Sequence, residues 1–195
     1  RLRLNVDQVC GANLCEVLDQ RREIARSCGR PEDLVALGAL LADVGEFAEA
    51  ERTYLQALRD FRDVSPFPLS WIWFQRGLLW GERVRKPDKE RAADCYRRAI
   101  EFLPSYTTAR VHLAEINLAC GRADEAEALL IPAASRGDPE VAWRRADAMV
   151  RQGRVADAGA HIGAAHSGFQ SLLERHLLAF ADHGAEFYAG SGKDI

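Results

Sequence analysis

Three glycines, each followed at the same two offsets by alanine, restrict this chain more than any other feature. Gly45 leads Ala50 and Ala57, Gly121 leads Ala126 and Ala133, and Gly153 leads Ala158 and Ala165. A helical hairpin needs this arrangement: glycine lets the first helix stop, and alanine lets the second cross a neighbour at close range. Three copies of one spacing imply an internal repeat and therefore an array of stacked helix pairs. Gly121 and Gly153 lie 32 residues apart and Gly11 and Gly45 lie 34 apart, lengths that hold two short helices and their turns. No strand-like alternation of useful length interrupts the pattern.

Residues 31–62 read as one hairpin, with Leu34, Leu37, Gly38 and Leu41 on one helical face and Ala50, Tyr54, Ala57 and Leu58 on the next. The Asp-Val-Ser-Pro-Phe-Pro stretch, 63–68, predicts a non-helical link because of its prolines. The second unit, from about Leu69 to Pro104, places Trp73, Gly77 and Trp80 on its first helix and Ala92, Tyr96, Ala99 and Ile100 on its second. Gly77 and Ala92 are fifteen apart where Gly38 and Ala50 are twelve apart, so about three extra residues enter near 81–89, with Asp88 placed to cap the helix that follows. Leu113 and Ala114 precede Gly121 in the third unit, with Leu130 after it; Ala142, Ala146 and Met149 precede Gly153 in the fourth, with Ile162 after it.

The ends of the array depart from the pattern. Residues 2–10 and 13–26 form a degenerate first pair in which Glu16 and Glu23 stand at the alanine positions, as expected of a terminal cap. After Phe169 a helix carrying Leu172, Leu173, Leu177, Phe180, Phe187 and Tyr188 stops at Gly190-Ser191-Gly192, and Asp194 would cap a further helix. The expected organisation is a single domain over 1–195. It consists of a degenerate pair at 1–30, repeats at 31–65, 66–105, 106–136 and 137–168, and an incomplete repeat at 169–195.

Composition narrows the partners. The formal charge is −3, from 26 basic and 29 acidic residues of interspersed sign, which argues against nucleic acid or an anionic membrane and for a protein or peptide partner. No apolar run approaches the roughly 20 residues of a membrane-spanning helix. Residue 1 is Arg1 and no signal-like stretch follows, so the natural beginning is read as missing. The expected compartment is cytoplasmic, with a periplasmic or exported protein left open. Five cysteines, Cys10, Cys15, Cys28, Cys95 and Cys120, have neither zinc-site nor disulfide-framework spacing and are expected to be buried or half-buried free thiols.

Catalytic and metal chemistry find no support. His161, His166, His176 and His183 crowd into the last third, with His176 and His183 seven apart on one helical face, but two-ligand spacings such as H-x-x-x-H are absent. No nucleophile elbow or phosphate loop occurs, and Gly190-Ser191-Gly192-Lys193 is a turn. No enzyme, cofactor or metal is expected. Arg21, Arg22, Glu23 and Arg26 fall within one helix and predict an exposed charged face.

The motifs resemble the tetratricopeptide repeat, whose signature combines W-x2-L-G-x2-Y on one helix with A-x3-F-x2-A-x4-P on the next. Leu34-x2-Leu37-Gly38-x2-Leu41 with Ala50-x3-Tyr54-x2-Ala57 matches it, as does Ala92-x3-Tyr96-x2-Ala99-x4-Pro104. Arg76 replaces the usual leucine of the second unit, and Arg110, Asn117 and Arg145 stand where apolar residues are usual in the third and fourth. The 63–69 linker and the Ala-Asp-His-Gly-Ala-Glu-Phe-Tyr segment are similar to bacterial proteins of this kind. Pentatricopeptide repeats would bring a basic RNA-facing groove, and HEAT-type units need periods of about 40 or more.

The resemblance implies an all-α, right-handed α-solenoid of antiparallel helix pairs with the first helix of each pair on a concave face. Carried over by position, the groove would be lined by Val35, Ala39, Trp71, Phe74, Leu78, Val111, Glu115, Trp143 and Asp147. Family members that grip a terminal carboxylate use lysine and asparagine where this chain has Val35, Ala39, Phe74 and Leu78, so no such clamp is expected. Trp71, Phe74 and Trp143 are the expected aromatic anchors for an extended or helical partner segment, and Trp73 and Trp80 the expected packing residues. The function this implies is a protein-interaction module or scaffold. The alternatives are a regulatory or targeting portion of a larger enzyme or secretion machine, and a homodimer formed through the terminal helix.

Overall fold

The computed structural model describes residues 2–11 and 13–193; Asp194, read as a capping residue, lies outside them. Helices and turns account for the whole architecture, with no strand among the described residues. The chain divides into two compact units, Arg1–Pro104 and Ser105–Ile195.

The first unit holds α1 (Leu2–Val9), α2 (Leu14–Cys28), α3 (Pro31–Asp43), α4 (Phe47–Asp60), α5 (Pro66–Leu78) and α6 (Lys89–Phe102). The second holds α7 (Thr107–Ala119), α8 (Ala123–Leu130), α9 (Pro139–Arg151) and α10 (Val155–Ala189). The small-residue rhythm falls on the helix crossings, because Ala50, Ala57, Ala92, Ala99, Ala126, Ala133, Ala158 and Ala165 are all at most 3% exposed. The three turn glycines share one geometry. Gly45, Gly121 and Gly153 have φ of 86°, 76° and 79°, a left-handed conformation that side chains with a Cβ resist. After each, the next residue donates its N–H across the turn at 2.8 Å, Glu46 to Leu41, Arg122 to Asn117 and Arg154 to Met149.

Packing in the first unit depends on bare backbone. A Cβ added to Gly38 would lie 2.6 Å from Tyr54 Cε1, and one added to Gly77 would lie 2.3 Å from Tyr96 Cε1. Each tyrosine ring therefore lies directly on the preceding helix and is almost fully buried, at 1% and 2% exposure. The extra residues of the second hairpin appear as a π-helical turn, Leu79–Arg83, continuing α5. Val84 donates to Leu79 O across it, and Asp88 Oδ1 accepts the Arg91 N–H at 3.0 Å to start α6. The prolines of 63–68 behave differently from the expected link: Pro66 opens α5 and Pro68 lies in its first turn, where the missing N–H has no helical partner to lose.

In the first helix pair, Asn13 caps α2 by accepting the Cys15 N–H at 3.0 Å. Val17, Arg21 and Ala25 face inward and Glu16 and Glu23 outward. The expected exposed face at 21–26 is thus corrected at Arg21. It is 8% exposed and donates to Asn5 Oδ1 at 2.9 Å and to Gln8 Oε1 at 2.8 Å, which compensates its desolvation. The cysteine expectation holds only for Cys95, which is buried. Cys10, Cys15, Cys28 and Cys120 are exposed, being at helix ends rather than at crossings.

The second unit tolerates two of its three polar residues at apolar positions, Asn117 and Arg110, by giving them partners. Asn117 is 3% exposed and its Oδ1 accepts from Arg122 at 2.8 and 3.2 Å; Arg110 donates to Leu129 O at 2.9 Å. Arg145 keeps a buried Nε with no partner. Pro132 ends α8 early, and a 3-10 turn over Ile131–Arg136 still delivers Ala133 to the core.

Helix α10 is broken at His176, with φ −142° and ψ 47°. The chain reverses there and its two arms pack together: Leu173 lies against Gly184, the Phe169 and Phe187 rings are 5.1 Å apart, and His166 meets Tyr188 at 5.3 Å. His176 and His183 therefore do not share a face of one straight helix.

Candidate functional site

The nine residues carried over from the resemblance lie on α3, α5, α7 and α9 and divide between the two units. On the first unit, Val35 of α3 and Phe74 of α5 are buried, at 1% and 7% exposure, and serve the core. Phe74 packs its ring 5.7 Å from that of Tyr96. Ala39, Trp71 and Leu78 are half-buried and retain surface. Trp71 and Leu78 are seven apart on α5, two helical turns along one stripe.

On the second unit, Val111 and Trp143 are buried, at 1% and 3% exposure. Trp143 lies among Phe169 at 6.1 Å and Phe187 at 5.5 Å, both edge-on, and its Nε1 donates to Ser191 Oγ at 3.1 Å. Ser191 donates in turn to Asp147 Oδ1 at 2.5 Å. This tryptophan is held by the chain's own terminal arm, which buries Phe187 completely. Around it runs a charged strip. Arg144 lies with its guanidinium 3.5 Å from the centre of the Trp143 ring and pairs with Glu115 at 2.6 Å, with Asp147 at 3.6 Å and with Glu186 at 3.4 Å. Glu140 pairs with His183 of the terminal arm; burial raises the Glu140 carboxyl pKa and the His183 charge opposes that.

Trp80 packs against the first unit's core as expected of a packing residue, and both Trp73 and Trp80 are half-buried and border a polar centre of that unit. Glu51 of α4 accepts from Arg76 Nη2 at 2.5 Å and Nε at 3.1 Å, from Trp80 Nε1 at 3.2 Å and from Arg91 Nη2 at 2.8 Å. The Arg76 guanidinium lies 4.5 Å from the Trp73 ring centre and that of Arg91 lies 3.5 Å from the Trp80 ring centre. This is why arginine replaces leucine at position 76: its carboxylate partner is on the neighbouring helix. Burial opposes ionisation of Glu51, but these donors outweigh it and hold the carboxyl pKa below its usual value.

Sequence reasoning missed Arg144 and Ser191, which contact the Trp143 ring and its Nε1. Arg144 adjoins a predicted aromatic anchor, so a cation-π partner was the available signal; Ser191 approaches only through the reversal at His176, for which the sequence has no marker. Among the described residues no three His, Cys, Asp or Glu side chains converge as a metal site, and no helix is long and apolar enough to cross a membrane.

No protein-family model and no curated protein matches the sequence. Solved structures do match the fold. A crystal structure of MamA aligns with 88% of this chain and 96% of its own at a TM-score of 0.67 and 16% identity. A thermophilic tetratricopeptide protein of Thermus thermophilus aligns over 96% and 97% of the two chains at 0.59 and 18% identity. A tetratricopeptide repeat protein of Parabacteroides merdae covers 95% of this chain with 72% of its own, at 0.61 and 20% identity.

Proposed function

We propose, from a chain with the tetratricopeptide-repeat fold, that it is a protein-interaction module without a catalytic role of its own. A partner segment docks on the face that α3 and α5 form in the first unit. The observation that carries this reading is Trp71, a large aromatic on α5 that packs against the first unit's core yet is only half-buried. Such a ring buries much area on binding at low entropic cost, which is how interface anchors act. On the second unit the residues available to a partner are Glu115 and Asp147, already engaged by Arg144. That face would contribute charge complementarity rather than an aromatic pocket.

Incorporating a photo-crosslinking residue at position 71 or 78, and as a control at exposed position 97, tests the assignment. Crosslinks at 71 and 78 to one protein, whose affinity then falls about tenfold or more for Trp71→Ala, are the expected result. Equal labelling from position 97, or unchanged affinity, rejects it. Self-association is a second reading, favoured by Leu177 and Leu178 at the α10 bend, which are 60% and 98% exposed. A concentration series in light scattering that stays monomeric removes it.

A further inference from the structure

On the first unit a groove of about 1000 Å³ opens between the even-numbered helices α2 and α4, a different surface from the α3–α5 face. Its walls are two helical stripes of matching period. Arg22, Ala25, Arg26 and Gly29 follow one another at three, one and three residues along α2 and its cap, and Arg52, Leu55, Gln56 and Arg59 do the same along α4. Leu34 and Leu37 of α3, at 3% and 6% exposure, form the floor.

The charge of this groove is one-sided. Four guanidinium groups line it against the single carboxylate of Glu49. Glu49 is already committed, because it pairs with Arg22 at 2.8 Å and joins the two walls. Arg26 pairs with Glu23 on its own helix at 3.5 Å, through two exposed side chains, and donates its Nε–H to Arg22 O at 3.3 Å. No acidic side chain among the described residues pairs with Arg52 or Arg59, although the chain as a whole has a formal charge of −3. Uncompensated like charges around an apolar floor cost stability unless an opposite charge arrives.

We infer that this groove binds an acidic peptide segment of a partner protein, with carboxylates on Arg26, Arg52 and Arg59 and an aliphatic side chain on the Leu34–Leu37 floor. Guanidinium forks suit carboxylates in two-point contact, and the floor rewards an apolar residue between them. Arg52 and Arg59 are separated by about 10 Å of helix rise, which about three extended residues span. A polynucleotide fits less well, because no aromatic side chain lines the groove for a base to stack on.

Selection of a random-peptide library on the whole chain tests this, with chosen peptides then labelled and titrated by fluorescence anisotropy. The expected peptides carry Asp or Glu on both sides of an aliphatic residue. Their affinity falls roughly tenfold or more in R52E/R59E and also falls in R52Q/R59Q, while R97E/R98E on α6 leaves it unchanged. Selection of neutral or basic peptides overturns the proposal, as does undiminished affinity in both groove variants. Tighter binding of oligo-dT than of the acidic peptides, lost in the same variants, would replace the peptide by a nucleic acid.

Discussion

The two units fill the same hairpin crossing in opposite ways. In the first, glycine on one helix faces tyrosine on the next, Gly38 with Tyr54 and Gly77 with Tyr96. At the same register in the second, alanine faces a smaller aliphatic, Ala114 with Leu130 and Ala146 with Ile162. A ring can lie on a helix only where that helix has no side chain; once a methyl group is present, the facing residue must shrink. Spacing between the helices is therefore set by the pair and not by either residue, as close packing requires.

The difference implies that the first unit relies more on single large side chains. Tyr54→Ala removes a ring that is 1% exposed and should destabilise by about 3–5 kcal/mol. Leu130→Ala, fully buried in the second unit, should cost less, at about 2–4 kcal/mol. Urea unfolding of the two variants checks the order, and a larger loss for Leu130→Ala would break the comparison.

Charge separates the units too. Glu51 and Glu127 lie six residues after their turn glycines, but Glu51 has donors from three side chains whereas Glu127 pairs with Arg154, itself 44% exposed. Glu51→Gln turns one acceptor into a donor facing guanidinium groups, with an expected loss of about 1.5–3 kcal/mol near neutral pH; Glu127→Gln should lose under about 1 kcal/mol. The pH dependence follows from the lowered Glu51 value. Its stabilisation is complete above the unfolded value of about 4.5 and is lost as pH falls through the lower folded one. The parent chain should thus lose more stability than Glu51→Gln on acidification below about pH 4.5, and parallel acid-unfolding curves would refute this.

The helical hairpins were legible because period and turn chemistry are local. The glycine rhythm located three turns that share one hydrogen bond, and the alanines marked crossings that are closed to solvent. Exposure of the groove residues was not legible. Val35 and Ala39 are one helical turn apart on α3, yet the first is buried and the second half-buried, because the neighbouring helix decides which side of a stripe is covered. The fate of Trp143 depended on a backbone reversal at His176 that no proline or glycine announces. Arg76 and Asn117 looked like departures from the motif because their partners, Glu51 and Arg122, become neighbours only after folding.

A smaller effect tests the pairing rule directly. Gly77→Ala gains helix propensity worth about 1 kcal/mol but puts a Cβ into the Tyr96 ring, so a net loss of about 1–2 kcal/mol is expected. Combining it with Tyr96→Leu recreates the second unit's solution, and the double variant should be more stable than the sum of the single losses by at least about 1 kcal/mol. Strict additivity in a double-mutant cycle would mean that the ring and the glycine do not constrain each other.

The smallest expected effect concerns Asn117, which holds the place that Leu41 holds in the first unit, each four residues before its turn glycine. Leucine at 117 would remove a buried amide whose oxygen is satisfied by Arg122 and replace it with an apolar group suited to the surrounding core. Arg122 is left with Glu125, 3.4 Å away and 62% exposed, and with solvent, so its charge is not stranded. Gain and loss nearly cancel, and Asn117→Leu should change stability by less than about 1 kcal/mol in either direction. A loss above about 2 kcal/mol in urea unfolding would show that the Asn117–Arg122 contact organises the Gly121 turn, and that the second unit depends on polar pairing where the first depends on rings.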